Sequence, residues 1–469
     1  MALIGPQDVG FLLAESRATP MHVGGLQVFE LPEGASPHWL RDQFERMLEY
    51  TDVSPLFRKR PYRSWQTGFQ LAWRDDEQLD LEYHVRHSAL PDPGRVRELL
   101  ALGSRLHGSL LDRQRPLWEY HLIEGLEGNR FAVYTKIHHA MFDGVSALRL
   151  LERSLSKHPD DVTEPPWVYR RPAPERTDTG PSSPLDPVLA ALRGGLDLAG
   201  LTPALLANAR QSMEDELAAF PFKAPPTILN GHITGARRIA ADTWSLPRVR
   251  AVAEATGATL NDIVLAMSSG ALRRYLLEQD ALPDESLTSM VPVSLRRDDS
   301  AGGNAVGAVI TSLATNCADP LERLARIRES MAIAKASLAD RPPLQILVLS
   351  ALTMFPGPMM TLLGGPDGMR PAFNTTISNV PGPRSPLYFN GAHLQGVYPA
   401  SIPFHSQALN ITCTTYVDNL EFGFTGCRRN VPHLQRLLVH LEDSLVELEE
   451  ATALTPTERA TPRKRAAPH

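Results

Sequence analysis

WEYHLIEGLEGNRFAVYTKIHHAMFDG, residues 118–144, is the stretch on which the fold turns. β-Branched and aromatic residues fill two arms of strand length. The intervening Gly-Leu-Glu-Gly-Asn-Arg supplies a reversal, so the pattern predicts two strands joined by a tight turn. Past the second arm, Val145, Leu148, Leu151 and Leu155 recur at helical spacing. His138 and His139 therefore stand where a strand ends and a helix is about to begin. Such a junction holds side chains on rigid elements yet leaves them at a sheet edge, where a crevice can form.

Outward from this centre, the upstream chain opens a helix near Ser36, a good N-cap, with Pro37 where a missing N–H costs nothing. Trp39, Leu40, Phe44, Met47 and Leu48 then give it one apolar face. Downstream, composition shifts near residue 160. DDVTEPPWVYRRPAPERTDTGPSSPLDP has no period and reads as a linker, followed by Leu- and Ala-rich crossover helices over 185–219. A second domain starts near residue 220. Its clearest helix is capped by Thr259, carries Asp262 in its first turn and runs to about residue 276. AFNTTISNVPGP and LNITCTTYVDNLEFGFTG read as strands, the first stopped by Pro381-Gly382-Pro383. The expected organisation is an N-terminal domain over 1–160, a linker with crossover helices over 161–219, a C-terminal domain over 220–455 and a disordered tail over 456–469. Mixed helices and strands in both halves predict two α/β sandwich domains with mixed sheets.

The 469 residues carry a formal net charge of -6, which argues against a nucleic-acid partner, because phosphate binding needs clustered Lys and Arg. A local basic patch for a phosphorylated cofactor stays open. Cys317, Cys413 and Cys427 form no CxxC pair or zinc spacing, and so sparse a set fits a reducing cytoplasm. The opening MALIGPQDVGFLLAES has no basic segment followed by an apolar run, so no signal peptide is expected. The most apolar stretch, residues 342–365, is broken by Pro356-Gly357-Pro358 and is too short to cross a bilayer. It reads as a buried helix or as an element lining a lipid groove.

Three readings compete for HHAMFDG. A metal site would want both histidines on one ion plus a third ligand, yet adjacent residues at a strand end point to opposite faces. A structural reading has two hydrogen-bonded histidines at a tight turn, with Asp143 receiving orphan donors at the start of the next helix. A functional reading makes one imidazole a general base, since it titrates near neutrality. The G-x-S-x-G elbow of a serine nucleophile is missing. A base without a protein nucleophile implies direct attack of one substrate on another.

The motif is similar to the HHxxxDG signature of the coenzyme-A-dependent acyltransferase superfamily. More narrowly, the chain resembles the bacterial wax ester synthase/diacylglycerol acyltransferase family. MHVGGLQVF at 21–29, HVRHSALPDPG at 84–94 and LDRQRPLWEYHLIEGL at 111–126 look like its N-terminal blocks. NDIVLA at 261–266, VPVSLR at 291–296, Gly303-Asn304 and SNVPGP at 378–383 look like its later ones. The sequence departs from that pattern after Phe422-Gly423-Phe424, where TGCRRNVPHLQRL replaces a block that commonly carries an acidic residue.

The resemblance implies two chloramphenicol-acetyltransferase-like domains with an active-site channel between them. It implies His139 as the base, with His138, Asp143 and Gly144 in support, Asp143 turned away from the reacting atoms. Acyl-coenzyme A is then a substrate, no cofactor is bound permanently, no metal is needed, and the acceptor is a fatty alcohol or diacylglycerol. Asn261 is the preferred oxyanion or substrate contact, with Ser378 and Asn379 next. Pro116, Leu117 and Trp118 could wall an acyl channel, although such residues also suit a core. Peripheral contact with a membrane or lipid droplet is expected. The alternatives are another hydroxyl acceptor, a carrier-protein-bound donor, or a non-catalytic acyl-CoA-binding homologue.

Overall fold

The computed structural model describes residues 2–68, 70–142, 144–168, 222–294, 306–339 and 370–454. The first half runs β1 (Ala2–Leu3), α1 (Pro6–Ala14), β2 (His22–Glu30), α2 (Trp39–Glu49), β3 (Lys59–Arg63), β4 (Leu71–Asp75) and α3 (Leu81–His84). It continues through β5 (Val85–Ala89), α4 (Val96–Gly108), β6 (Trp118–Leu126), β7 (Arg130–His138) and α5 (Gly144–Arg153). The second half begins β8 (Arg237–Ser245), α6 (Leu246–Thr256), α7 (Leu260–Glu278), β9 (Thr288–Ser294), β10 (Val306–Ser312) and α8 (Pro320–Ala339). It ends β11 (Thr375–Val380), β12 (Tyr388–Phe389), β13 (Ala392–Ala400), β14 (Leu409–Tyr416), β15 (Asn419–Cys427) and α9 (Arg436–Ala451).

The hairpin expected at 118–138 is there, with Trp118 opposite Ile137. Gly128 (φ 78°) and Asn129 (φ 56°) take the left-handed conformations that close its turn. β7 is covered on both faces. Phe131, Val133 and Ile137 pack with Trp118 and Leu122 on one side, and Ala132 and Tyr134 pack with Leu99 of α4 on the other. A strand buried on both faces loses the simple alternation of apolar and polar residues.

Both large sheets are mixed, as expected. One has the order β12-β13-β2-β7-β6-β5, and only β5 and β6 run parallel. The other has the order β10-β9-β11-β14-β15-β8, with β11 parallel to both of its neighbours. A small sheet, β1-β4-β3, stands apart.

A division of the chain near residue 220 does not divide the sheets. β12 and β13 lie in the second half of the sequence but complete the first sheet, β13 pairing antiparallel to β2 from His393↔Glu30 to Ala400↔Gly24. Without them β2 would be an open edge, with a row of unpaired backbone groups. β13 also grips the second sheet. The Val397 N–H donates to the Glu421 carboxylate, the Tyr398 and Thr243 hydroxyls meet at 2.9 Å, and the Ser401 N–H donates to Thr425 Oγ1 at 3.1 Å. Gly423 permits this approach, since a Cβ there would stand 1.8 Å from the Pro399 carbonyl oxygen.

Local signals fared unevenly. Thr259 caps α7, and Asp262 closes a capping box, receiving the Thr259 N–H at 2.9 Å. α2 instead starts at Trp39, not Ser36. The Ser36 hydroxyl accepts the His38 N–H at 3.3 Å, and its carbonyl accepts the Trp39 N–H at 3.0 Å, closing a turn ahead of the helix. β11 ends at Val380, just before the expected proline stop. β15 runs to Cys427 despite the altered final block. The crossover helices of 185–219, the apolar run 342–365 and the 456–469 tail lie outside the described residues. Among the described residues, no helix is long and apolar enough to cross a membrane.

Candidate active site

The end of β7 is held from both sides. The His138 N–H donates to the Leu117 carbonyl, and the His139 N–H donates to the Met21 carbonyl, each at 2.9 Å. The chain then turns, with the Met141 N–H returning to the His138 carbonyl at 2.9 Å. The two imidazoles fare differently. His138 is fully buried, and its Nδ1 accepts the Ala140 N–H at 3.1 Å. Its Nε2 faces Glu15 Oε1 at 3.4 Å. His139 is half-buried, and its ring stacks on Phe11 with centroids 4.1 Å apart and planes 20° from parallel.

Glu15 anchors this arrangement from behind. Its side chain is 3% exposed and pairs with Arg113 at 2.8 Å. Burial pushes its carboxyl up, but His138 and Arg113 together outweigh burial and hold it below its ordinary value. Oε1 also accepts the Met21 N–H at 3.4 Å. Glu15 thus fixes both His138 and the residue whose carbonyl holds His139. Sequence reading missed Glu15, Phe11, Met21 and Arg113 as a group. The available signal was an acid following the apolar run Phe11-Leu12-Leu13-Ala14.

A second polar cluster lies on the same face of β7. Lys136 is fully buried, its ammonium 2.9 Å from Glu119 and donating to the carbonyls of Leu106 (3.1 Å) and Ser109 (3.0 Å). His121 Nε2 approaches the same carboxylate at 3.1 Å. Burial opposes ionisation of Glu119, but His121 and Lys136 overcome it and bring its pKa to about 2. Beside them, His107 donates from Nε2 to the Ser401 carbonyl at 2.9 Å and accepts the Tyr134 hydroxyl at Nδ1, 2.8 Å away. Burial holds His107 at about 3 and His22 well below its ordinary value, so both stay neutral. The His107 carbonyl receives His22 Nε2 at 2.8 Å. These bonds tie the histidine-bearing strand to α4 and to the segment that follows β13.

The expected site residues divide between the sheets. Pro116, Leu117 and Trp118 are buried beside the His138-His139 turn. Leu117 packs with Phe11 and Ala140, whereas Trp118 is a core residue whose indole N–H donates to the Phe57 carbonyl at 2.8 Å. Gly144 opens α5, and Asp143 lies outside the described residues. Asn261 is half-buried in the first turn of α7, which packs on β11, the strand carrying half-buried Ser378 and Asn379. Ser378 and Asn379 therefore belong to the second sheet, and Asn261 to a helix packed on it. Among the described residues, no group of three or more His, Cys, Asp or Glu stands where it could hold a metal ion.

Known proteins match this chain nearly end to end. A probable diacylglycerol O-acyltransferase of Mycobacterium tuberculosis is 50% identical over 459 residues, covering 97% of this chain and 100% of that protein. An O-acyltransferase of Acinetobacter baylyi is 42% identical over 462 residues, covering 97% and 98%. The solved wax ester synthase/diacylglycerol acyltransferase from Marinobacter aquaeolei superposes with a TM-score of 0.78 at 42% identity, covering 97% of this chain and 100% of that one. The first condensation domain of the calcium-dependent antibiotic synthetase, at 18% identity and a TM-score of 0.60, shares the fold. Residues 4–264 match the wax ester synthase/diacylglycerol acyltransferase catalytic domain and 302–449 match the C-terminal domain of the same family. With its two mixed sheets and the HHxxxDG turn at the end of β7, the chain belongs to the wax ester synthase/diacylglycerol acyltransferase family, within the coenzyme-A-dependent acyltransferases.

Proposed function

We propose that the protein transfers a long-chain acyl group from acyl-coenzyme A to the hydroxyl of a fatty alcohol or of diacylglycerol, with His139 as general base. The observation that carries the assignment within the motif is the contrast between its two histidines. His138 is fully buried with its ring committed to Ala140 and Glu15, while His139 is half-buried against Phe11. Only a ring that a substrate can reach can take its proton.

The reaction needs no covalent enzyme intermediate. His139 takes the hydroxyl proton as the oxygen attacks the thioester carbonyl, and the carbon–oxygen bond forms. The tetrahedral intermediate then expels the coenzyme A thiolate, which takes the proton back from His139. Asn261, Ser378 and Asn379 are the proposed donors to the oxyanion, where losing one donor typically costs about 3–4 kcal/mol. Each half is read as a chloramphenicol-acetyltransferase-like sandwich, with the substrates meeting between them and Pro116, Leu117 and Trp118 along the acyl path. Asp143 is read as a support for the loop. The working place is the cytoplasmic side of a membrane or lipid inclusion, consistent with three cysteines that are all free and buried.

The test compares His139→Ala with His138→Ala in a coenzyme A release assay using palmitoyl-coenzyme A and hexadecanol. H139A should lose about two to four orders of magnitude in turnover, with little change in thermal stability. H138A should lose less turnover and more stability, because it leaves Glu15 without its buried partner. Near-normal turnover in H139A, or a larger turnover loss at 138 than at 139, would reject the assignment.

A further inference from the structure

The small β1-β4-β3 sheet is chemically unlike the rest of this acidic chain. From Val53 to Arg74 the sequence holds Arg58, Lys59, Arg60, Arg63 and Arg74 with no acidic residue between them. The pairing of β3 with β4 sets Arg60 directly opposite Arg74. Like charges in that position repel and destabilise a strand pair. Among the described residues no acidic side chain pairs with either, and the Nε of Arg60 is buried without a hydrogen-bond partner. Arg74 lies over the Tyr62 ring, 5.0 Å from its centroid. Lys59 faces Asp75 across the pair, so that charge is balanced within the sheet. The arginine pair is not, and it suits a multiply anionic partner.

The same lobe carries exposed apolar side chains. Trp65, at the tip between β3 and β4, is 76% exposed, Leu13 of α1 71% and Leu3 of β1 63%. Among the described residues, Val162 at 65% is the only other large apolar side chain so open. Cations beside exposed tryptophan and leucine form the composition of surfaces that sit at the headgroup level of a bilayer, the indole among the headgroups and the cations near the phosphates.

The opposite side of the lobe reaches the catalytic turn. Leu71 and Trp73 of β4 pack in one apolar cluster with Phe11, Met141 and Phe142. We infer that the β3–β4 hairpin is the membrane-docking element of this protein, placing Arg60, Arg74 and Trp65 on an anionic phospholipid surface so that a membrane-dissolved acceptor is delivered beside His139. The inference rests on the proposed lipid acceptor and adds where the protein meets the lipid.

The experiment floats the full-length protein with vesicles of phosphatidylcholine, or of phosphatidylcholine mixed with phosphatidylglycerol, at low and high salt. Wild type should partition onto the mixed vesicles and release in high salt. Each cation near an anionic surface is worth about fivefold in partition, so R60Q/R74Q should lose roughly 25-fold on mixed vesicles and change little on phosphatidylcholine. W65A should weaken binding to both. Transfer to a water-soluble short-chain alcohol, without vesicles, should be unchanged in all variants and reports that they are folded. Equal wild-type binding to both vesicle types, or wild-type partition by R60Q/R74Q, overturns the inference. So does a raised KM for acyl-coenzyme A with unchanged partition, which would make the arginine pair a substrate phosphate site. Wild type that binds vesicles but transfers to no alcohol would instead reject the proposed acyl transfer.

Discussion

Replacing Lys136 by methionine tests how much the ion cluster behind the histidines stabilises the fold that carries them. The side chain keeps its length and loses three polar contacts, to Glu119 at 2.9 Å and to the carbonyls of Leu106 and Ser109 at 3.1 and 3.0 Å. Glu119 is 6% exposed, so the substitution leaves a buried carboxylate with only His121 at 3.1 Å and Arg86 at 3.4 Å. Lowering that carboxyl from 4.5 to about 2 corresponds to roughly 3 kcal/mol favouring the folded state. The intact pair is worth less than this, because burial costs the Lys136 ammonium more than Glu119 returns and holds its pKa below the ordinary value. Deleting one partner is a different quantity. It forfeits part of the carboxylate's stabilisation and takes the ammonium donor from the Ser109 carbonyl, while the Leu106 carbonyl keeps the Ser109 N–H, so K136M should lose about 3–5 kcal/mol.

Denaturant unfolding at pH 7.5 checks the size of the loss, and a pH series checks its cause. Glu119 has a folded pKa below its unfolded one, so its contribution is fully present above about 4.5 and disappears as pH falls through about 2. The gap between wild type and K136M should therefore narrow across that window. The double variant E119Q/K136M should recover most of the loss at pH 7.5, since no charge is then left alone. A loss below about 1 kcal/mol, or a gap that does not change on acidification, would refute the reasoning.

Glu15→Gln should lower turnover by about 100-fold or less, the scale of a small misplacement of the base, with the KM for acyl-coenzyme A nearly unchanged; single-turnover kinetics check this. Asp143→Asn should lower the melting temperature together with activity if the carboxylate supports the loop, whereas an unchanged melting curve with a collapsed single-turnover rate would make Asp143 a partner of the base. Full turnover should survive exhaustive chelation, and a chelator-sensitive rate restored by zinc would sink the metal-free reading.

What could be read in the sequence was what local physics encodes. The β6–β7 hairpin was legible because β-branched and aromatic strand formers flank a Gly-containing reversal, and α7 because Thr259 and Asp262 form a box within four residues. The insertion of β13 into the first sheet was not legible, since nothing in AHLQGVYPA states that its backbone pairs with residues 24–30, more than 350 positions away. Glu15 was hidden for the same reason. An acid after an apolar run reads as a helix end until Arg113, 98 residues on, is known to neutralise it. Ser36 shows the converse failure: the capping residue type was present, but its hydroxyl closes a turn before α2 begins.

The different surroundings of two adjacent histidines follow from the pleat of β7. Tyr134, Lys136 and His138 share the face that looks toward α4, where Glu119, His121, His107 and Glu15 collect. Ile137 shares the other face, and Val23, directly opposite it on β2, packs with Phe11, Leu117 and Ala140. His139, one residue beyond the strand, continues onto that apolar side and stacks on Phe11. The strand thus confines the buried charges to one surface and leaves the other apolar next to His139, the setting the proposed long acyl chain would need. A one-residue slip of β7 would exchange the two surfaces, placing His139 toward Glu15 and His138 on the apolar face where Ile137 now stands. If His139 is the base, as proposed, the bonds that fix the register serve the reaction as much as the ring does, chief among them His138 N–H to Leu117 and His139 N–H to Met21.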